Sequence, residues 1–331
     1  MVAIRLTSGI EFSSEAGVSI LDAASKAKVT LPYSCKTGRC SSCKCKVLAG
    51  STIALQPELG LTNEEKAQGW VLGCVRSAQS DVTLEVDDLG AWSLPPAKTL
   101  PCRIDSLRRL ANDVMEVKLR LPPTAEFDYL PGQYIDVIGP QGVRRSYSLA
   151  SATPANKMLE LHVRAVGGGV MSAYWFERAR PNDLLRLNGP LGTFFLRDAV
   201  GVELTFLATG TGIAPVKAIL ESIAGQPADQ QPKSVTVVWG GRQQADLYLD
   251  ISSIAGSFTY IPVLSRAPAS WTSATGYVQD ILLARAPDLS SAAVYACGSD
   301  AMIHSAEARL VEAGLPATRF YSDAFVRSGT H

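Results

Sequence analysis

Three folds in series are predicted along this chain of 331 residues. They are a small α+β unit over 1–90, an antiparallel β-barrel over 101–200 and an open parallel α/β sheet over 201–331, with a linker at 91–100. Three observations predict them. Four cysteines with ligand-like spacing gather in the first quarter of the chain. Short strands separated by Gly and Pro recur between 101 and 200. After 200 the pattern switches to buried strands alternating with helices.

The elements follow in order. Met1–Leu6 alternates as a strand and pairs with a second near 10–13. Ser19 suits the N-cap of a helix beginning Ile20-Leu21-Asp22. A second short helix opens at Thr62-Asn63-Glu64-Glu65, Trp70–Cys74 returns toward the cysteine loop, and Val82–Val86 closes the unit. Pro95-Pro96 makes a stiff connection. Barrel strands are expected at 102–108, 114–120, 133–138, 146–149 and 159–166. Leu204–Ala208, Val235–Trp239, Tyr260–Leu264 and Ala293–Ala296 read as parallel strands, with helices near 215–224, 278–286 and 300–313.

Cys35, Cys40, Cys43 and Cys74 have the C-x4-C-x2-C…C spacing that wraps one loop around a plant-type [2Fe–2S] cluster. Gly38, Ser41 and Ser42 are small enough for backbone N–H groups to approach the sulfurs. Structural zinc favours two short knuckles instead. A Rieske centre needs two histidines, and His162, His304 and His331 are all remote from the loop. Cys45 reads as a packed strand residue. The cluster implies one-electron chemistry.

Composition narrows the rest. Thirty-one basic and 31 acidic residues balance, which leaves no basic field for nucleic acid and no polybasic membrane patch. No apolar run reaches the length of a membrane span, and the N-terminus has no signal-peptide pattern. Seven cysteines, four of them ligand-like, suit a reducing compartment, so a cytoplasmic protein is expected.

Arg145, Tyr147 and Ser148 alternate along one strand. Together they offer a cation for a phosphate, an aromatic face for a ring and a hydrogen-bonding hydroxyl. Alone, Arg-x-Tyr-Ser is a weak signal. It gains force from Gly167-Gly168-Gly169-Val170-Met171-Ser172 downstream, where backbone N–H groups opening an apolar helix can hold a pyrophosphate. Gly210-Thr211-Gly212-Ile213-Ala214-Pro215 directly follows a strand and lets a nucleotide lie close to the backbone. Cys297-Gly298 ends another strand, at the carboxyl edge where such sheets bind ligands. A tight βα turn and a buried structural cysteine are the plain alternatives for these last two.

In this order the motifs resemble the ferredoxin–NADP⁺-reductase-like flavin reductases with an N-terminal plant-type ferredoxin domain. These include reductase components of ring-hydroxylating oxygenases and CDP-6-deoxy-Δ3,4-glucoseen reductase. The resemblance spans essentially the whole chain, including the tail Tyr321-Ser322-Asp323-Ala324-Phe325. It implies a β-grasp ferredoxin domain, an FAD-binding β-barrel and an NAD(P)H-binding α/β domain. It implies that Arg145 binds the FAD phosphate, Tyr147 packs on the isoalloxazine, Ser148 bonds near N5, and Gly168 to Ser172 hold the pyrophosphate. Gly210, Thr211, Gly212, Pro215, Cys297 and Gly298 would take the nicotinamide nucleotide, and Phe325 would shield the flavin. Arg242 could meet a 2′-phosphate, but the oxygenase reductases point to NADH over NADPH. Ser41 departs from the glycine of many relatives.

The activity implied is splitting of a hydride from NADH through FAD into single electrons, passed through the [2Fe–2S] cluster to a transient protein acceptor. That acceptor is a terminal oxygenase of the Rieske aromatic type. The alternative is the iron–sulfur dehydratase of a deoxysugar pathway. A slow redox sensor is the reading from a different class.

Overall fold

The computed structural model describes residues 1–325 apart from Ala91 and Pro154, with Ala155 described in its backbone alone. Ala91, the first residue of the expected linker, and the last six residues of the expected third domain lie outside the described residues. The chain forms two compact units. One is residues 1–94 with those from Asp323 onward, and the other is Pro95–Ser322.

The first unit holds β1 (Val2–Leu6), β2 (Glu11–Ser14), α1 (Ile20–Lys26), β3 (Lys44–Ala49), β4 (Thr52–Ala54), α2 (Asn63–Ala67), β5 (Trp70–Leu72), β6 (Arg76–Ala78) and β7 (Val82–Glu85). Its main sheet runs β2-β1-β7-β3-β5. The β1–β2 hairpin is antiparallel, and β7 returns to lie parallel to β1. One helix over such a sheet is the β-grasp arrangement. Ser19 caps α1 by accepting from the Asp22 N–H at 3.0 Å, and Thr62 with Glu65 forms a reciprocal capping box on α2. Ile20, Leu21, Ala23 and Ala24 of α1 are buried in one cluster with Ile4, Val82 and Leu84 of the sheet. The cysteine loop fills the gap between α1 and β3.

The second unit begins with six barrel strands: β8 (Lys98–Ala111), β9 (Val114–Arg120), β10 (Tyr134–Ile138), β11 (Arg144–Ser148), β12 (Met158–Arg164) and, after the short α3 (Val170–Ala173), β13 (Leu184–Leu191). Their order is β11-β10-β13-β8-β9-β12, and a bridge between Leu149 and Leu161 brings the two ends together. Alternate residues point inward, so Ile104, Val117, Leu119, Ile135, Val137, Leu161 and Leu187 are fully buried. Each such side chain contributes about 1.5–3 kcal/mol of burial. Strand β13 was missed in the sequence because Asn188-Gly189-Pro190 reads as a turn. In the fold it pairs on both sides, with β10 and β8, and Gly189-Pro190 falls where the β10 register shifts. A proline is tolerated at such an irregularity. The apolar helix expected after Gly169 is a single α turn. Only Val170–Ala173 is α-helical, and the chain widens into a π turn over Tyr174–Arg178 that buries Tyr174 and Trp175.

The same unit continues through β14 (Glu203–Thr209), α4 (Ile213–Ala224), β15 (Ser234–Gly241), β16 (Thr259–Leu264), β17 (Ala274–Thr275), α5 (Val278–Ala284), β18 (Ala293–Gly298) and α6 (Asp300–Glu312). The sheet order is β17-β16-β15-β14-β18-β19, with β19 at Phe320–Ala324, and the pairs from β17 to β18 are parallel. Short edge elements β17 and β19 escaped the sequence reading, which rested on long apolar runs. From β14 the order steps out one way to β15 and β16 and the other way to β18. The crevice above such a reversal is where open α/β sheets bind ligands.

Candidate functional site

The cysteine loop gathers its four sulfurs as two pairs. Cys35 and Cys40 share one side-chain hydrogen bond, and Cys43 and Cys74 share another. The Cys40 side chain holds the Cys35 thiol down, and the same contact pushes Cys40 up. Cys43 in turn holds Cys74 down and is itself raised. Four thiols brought together at one loop can supply two thiolates to each of two irons. The donor set fits a [2Fe–2S] cluster. Backbone N–H groups face the sulfurs as well, Cys35 N toward Cys40 Sγ at 3.3 Å and Thr37 N toward Cys35 Sγ at 3.4 Å. Ser41 sits at φ 57°, a conformation that favours glycine, and its hydroxyl donates to the Gly60 carbonyl. Cys45 is 1 % exposed in β3, and burial pushes its thiol up to about 12, as suits an inert core residue.

Three supports of this loop were not foreseen from sequence. A Cβ on Gly60 would meet the Arg39 carbonyl and the Ser41 N at 2.9 Å, so only glycine backs the loop there. Buried Glu58 accepts the Leu72 N–H at 2.7 Å, two residues before Cys74, and is ion-paired with Arg76. Neither pattern has a sequence signature, since both join residues more than a dozen positions apart. Ser34, next to Cys35, donates to Asp323 at 2.5 Å.

In the barrel, β11 carries Arg145, Tyr147 and Ser148 against β10. Arg145 donates to the Arg144 carbonyl and pairs with no carboxylate among the described residues, which leaves a cation for a phosphate. Tyr147 packs against the barrel core, and its oxygen accepts the Trp175 indole N–H at 2.9 Å, so the ring is held edge-on to Trp175. Ser148 is buried at the strand end. Gly167, Gly168, Gly169, Val170 and Ser172 line a cavity of about 540 Å³. Gly168 adopts φ 72°, and Ser172 Oγ closes the turn by accepting the Val166 N–H at 2.8 Å. Met171 faces the barrel core instead, so only its backbone is available to a ligand.

At the sheet's reversal, the β14 and β18 motifs converge. A Cβ on Gly212 would lie 2.1 Å from the Cys297 carbonyl oxygen, and one on Gly298 2.1 Å from Thr209 Oγ1. The Ser299 N–H donates to Thr209 Oγ1 at 3.1 Å, and Ser299 caps α6. Trp239 Nε1 donates to the Gly210 carbonyl at 3.0 Å, and Gly210 adopts φ 55°. Thr211 is buried in this turn. Pro215 lies in the first turn of α4, where its missing N–H has no partner to lose. Cys297 is fully buried, so its side chain is core, while its carbonyl faces Gly212. Arg242 is exposed beyond β15, its N–H capped by Asp246 Oδ2 at 2.8 Å, while Asp246 Oδ1 takes Arg164 at 2.6 Å. Phe325 follows β19 and is 39 % exposed.

Family models match in the order of these sites. Residues 4–79 match a 2Fe-2S iron-sulfur cluster binding domain, 101–196 an oxidoreductase FAD-binding domain, and 206–308 an oxidoreductase NAD-binding domain. Over 325 residues the chain is 42% identical to the CDP-6-deoxy-L-threo-D-glycero-4-hexulose-3-dehydrase reductase of Yersinia pestis, covering 97% of each protein. It is 31% identical to reductase component 2 of the terephthalate 1,2-dioxygenase of a Comamonas species, covering 98% of this chain and 96% of that one. Among solved structures, the Amycolatopsis cytochrome P450 reductase GcoB superposes with a TM-score of 0.74 at 29% identity, covering 98% of this chain and 99% of that one. The chain therefore belongs to the iron–sulfur flavoprotein reductases that join a plant-type 2Fe-2S ferredoxin domain to FAD-binding and NAD-binding domains, and it is an NAD(P)H-dependent oxidoreductase of electron transfer.

Proposed function

We propose that this reductase takes hydride from NADH and delivers single electrons to an iron-containing protein, with domains 1–90, 101–200 and 201–331 joined by a 91–100 linker. The convergence of the Gly210–Gly212 turn and the Cys297-Gly298 strand end at the sheet's reversal, one unit with the barrel, is the observation that carries the reading. When bound, NADH supplies a two-electron donor, FAD a carrier that takes two electrons and releases them singly, and the cluster a one-electron relay. The chain's own residues bind and orient. Arg145 neutralises the flavin phosphate, Tyr147 presents a ring face fixed by Trp175, and Ser148 offers its hydroxyl. The Gly168–Ser172 backbone cradles the pyrophosphate. Gly210, Thr211, Gly212, Pro215, Cys297 and Gly298 shape the nucleotide crevice, with Phe325 a flavin shield. Cys35, Cys40, Cys43 and Cys74 would hold the cluster's irons. Hydride transfer needs no acid–base pair, and none is assigned.

NADH is preferred to NADPH in this reading, as the resemblance to the oxygenase reductases implies. The acceptor docks transiently, without nucleic acid or membrane, in the cytoplasm. No helix among the described residues is long and apolar enough to cross a membrane. Two acceptor classes follow from the relatives. A ring-hydroxylating oxygenase is the first reading. A deoxysugar dehydratase is the second, and identity favours it, 42% against 31%.

NADH-driven reduction of cytochrome c by the purified holoprotein tests the reductase reading, and absence of steady turnover would leave a redox sensor. Capture of the acceptor from lysate, followed by cofactor analysis, separates the two classes. A Rieske cluster with mononuclear iron identifies an oxygenase, and pyridoxamine phosphate with an iron–sulfur cluster a dehydratase.

A further inference from the structure

Lys217 lies outside every motif described above, yet it joins two of them. It is the fifth residue of α4, the helix that begins at the Gly210–Gly212 turn. Its ammonium donates to the Ala150 carbonyl at 2.8 Å and pairs with Glu221 at 2.7 Å and Glu160 at 3.2 Å. The other oxygen of Glu221 accepts the Ala152 N–H at 3.0 Å. Ala150 and Ala152 lie two and four residues past Ser148, on the same run of chain as Arg145 and Tyr147. Two residues of one helix turn thus grip the backbone that leaves the flavin strand.

The grip extends further. Glu160 meets His162 Nε2 at 2.9 Å, and His162 Nδ1 meets the Tyr248 hydroxyl at 3.0 Å. Tyr248 packs edge-on against Trp239, whose indole N–H holds the Gly210 carbonyl. The path therefore starts beyond Ser148 and ends on the nucleotide turn. Its side chains are shielded, 13 % exposed at Lys217, 16 % at Glu160 and fully buried at His162. Satisfied polar networks of this kind rigidify what they join.

We propose that Lys217 is a positioning residue for hydride transfer, fixing the helix that carries the nucleotide turn against the strand that carries the flavin residues. The inference rests on the reading of those two sites given above. The physical need is strict. The donor and acceptor atoms must come within about 3–3.5 Å, and a slip of about 1 Å costs roughly a hundredfold in rate. The barrel and the α/β sheet each carry one half of that geometry, and Lys217 with Glu221 ties them by direct bonds to main chain.

The test uses the full-length holoprotein with Lys217→Met and Lys217→Arg. Stopped-flow bleaching of the flavin across a range of NADH concentrations separates the limiting rate from half-saturation. Hydrogen exchange over residues 149–153 and 210–218, without NADH, reads the tie itself. In Lys217→Met the limiting rate should fall about tenfold or more, with half-saturation changed less than about threefold. Both segments should lose protection together, and Lys217→Arg should recover most of the rate. A limiting rate in Lys217→Met within about twofold of the unsubstituted protein would overturn the proposal, whatever the change in melting temperature. If Lys217→Met does not retain FAD, Glu221→Gln, which keeps an acceptor for Ala152 but removes the charge, decides by the same limiting rate. Failure of NADH to bleach the flavin of the unsubstituted protein would overturn the functional reading itself, a different outcome from a normal rate in the variant.

Discussion

Gly212→Ala should cripple reduction by NADH while leaving the protein folded. The backbone at Gly212 is helical, so the added methyl meets no φ penalty. It meets main chain instead, the Cys297 carbonyl oxygen at 2.1 Å, its carbon at 2.6 Å and the Gly298 N at 3.0 Å. No flexible side chain is there to move aside. The methyl is about 1 Å short of ordinary approach, so the start of α4 and the end of β18 must part by about that much, at an overpacking cost of about 1–3 kcal/mol. The crevice that opens is the one assigned to the nicotinamide, and a displacement of about 1 Å there costs roughly a hundredfold in hydride transfer. Stopped-flow flavin reduction by NADH gives the rate, and thermal melting the stability. Flavin reduced by dithionite should still pass electrons to cytochrome c normally. An unchanged rate with NADH, alongside a lowered melting temperature, would refute the placement of the nicotinamide at this turn.

Further outcomes follow from the same geometry. Cys74→Ser should lose cluster absorbance and cytochrome c reduction while NADH-driven ferricyanide reduction by the flavin persists, and survival of both activities would dismiss the cluster assignment. In Tyr147→Phe the indole N–H of Trp175, a residue 1 % exposed, loses its acceptor, so the protein without FAD should be destabilised by about 1–3 kcal/mol in denaturant melts, and an unchanged midpoint would show that the bond contributes nothing. Burial works to raise the Glu160 carboxyl, but His162 and Lys217 outweigh it and lower the group from 4.5 to about 2. A depressed carboxylate gives stability that is present above its unfolded value and lost as pH falls from about 4.5 through about 2, on the order of 3 kcal/mol in full. Glu160→Gln should flatten the stability profile of the second unit across that window, and equal slopes for the two proteins would count against the network.

Much of this protein was legible in its sequence because the informative signals are local. The spacing Cys35, Cys40, Cys43 depends on one loop's reach to one cluster. Ser19 and Thr62 each cap the helix that follows by accepting an N–H three residues on, and Gly210-Thr211-Gly212 punctuates the end of a single apolar strand. The small first unit, the barrel and the parallel sheet were predicted from period and spacing for the same reason, and the β-grasp form of the first unit from the family resemblance. Strand β13 was not, since its local sequence reads as a turn and only pairing on both sides makes it a strand.

What the tertiary structure alone decided is which distant residues complete each site. It pairs the four cysteines two by two, sets Glu58 behind Leu72 and Gly60 behind Ser41, and turns Met171 and the Cys297 side chain into core. It brings Gly212 against Cys297, 85 positions apart, and seats Lys217 on the backbone of Ala150. Residue types and their periods follow from local sterics and burial, which the chain carries at every position. Contacts between residues dozens of positions apart depend on how whole strands and helices stack, and no short stretch of sequence encodes that.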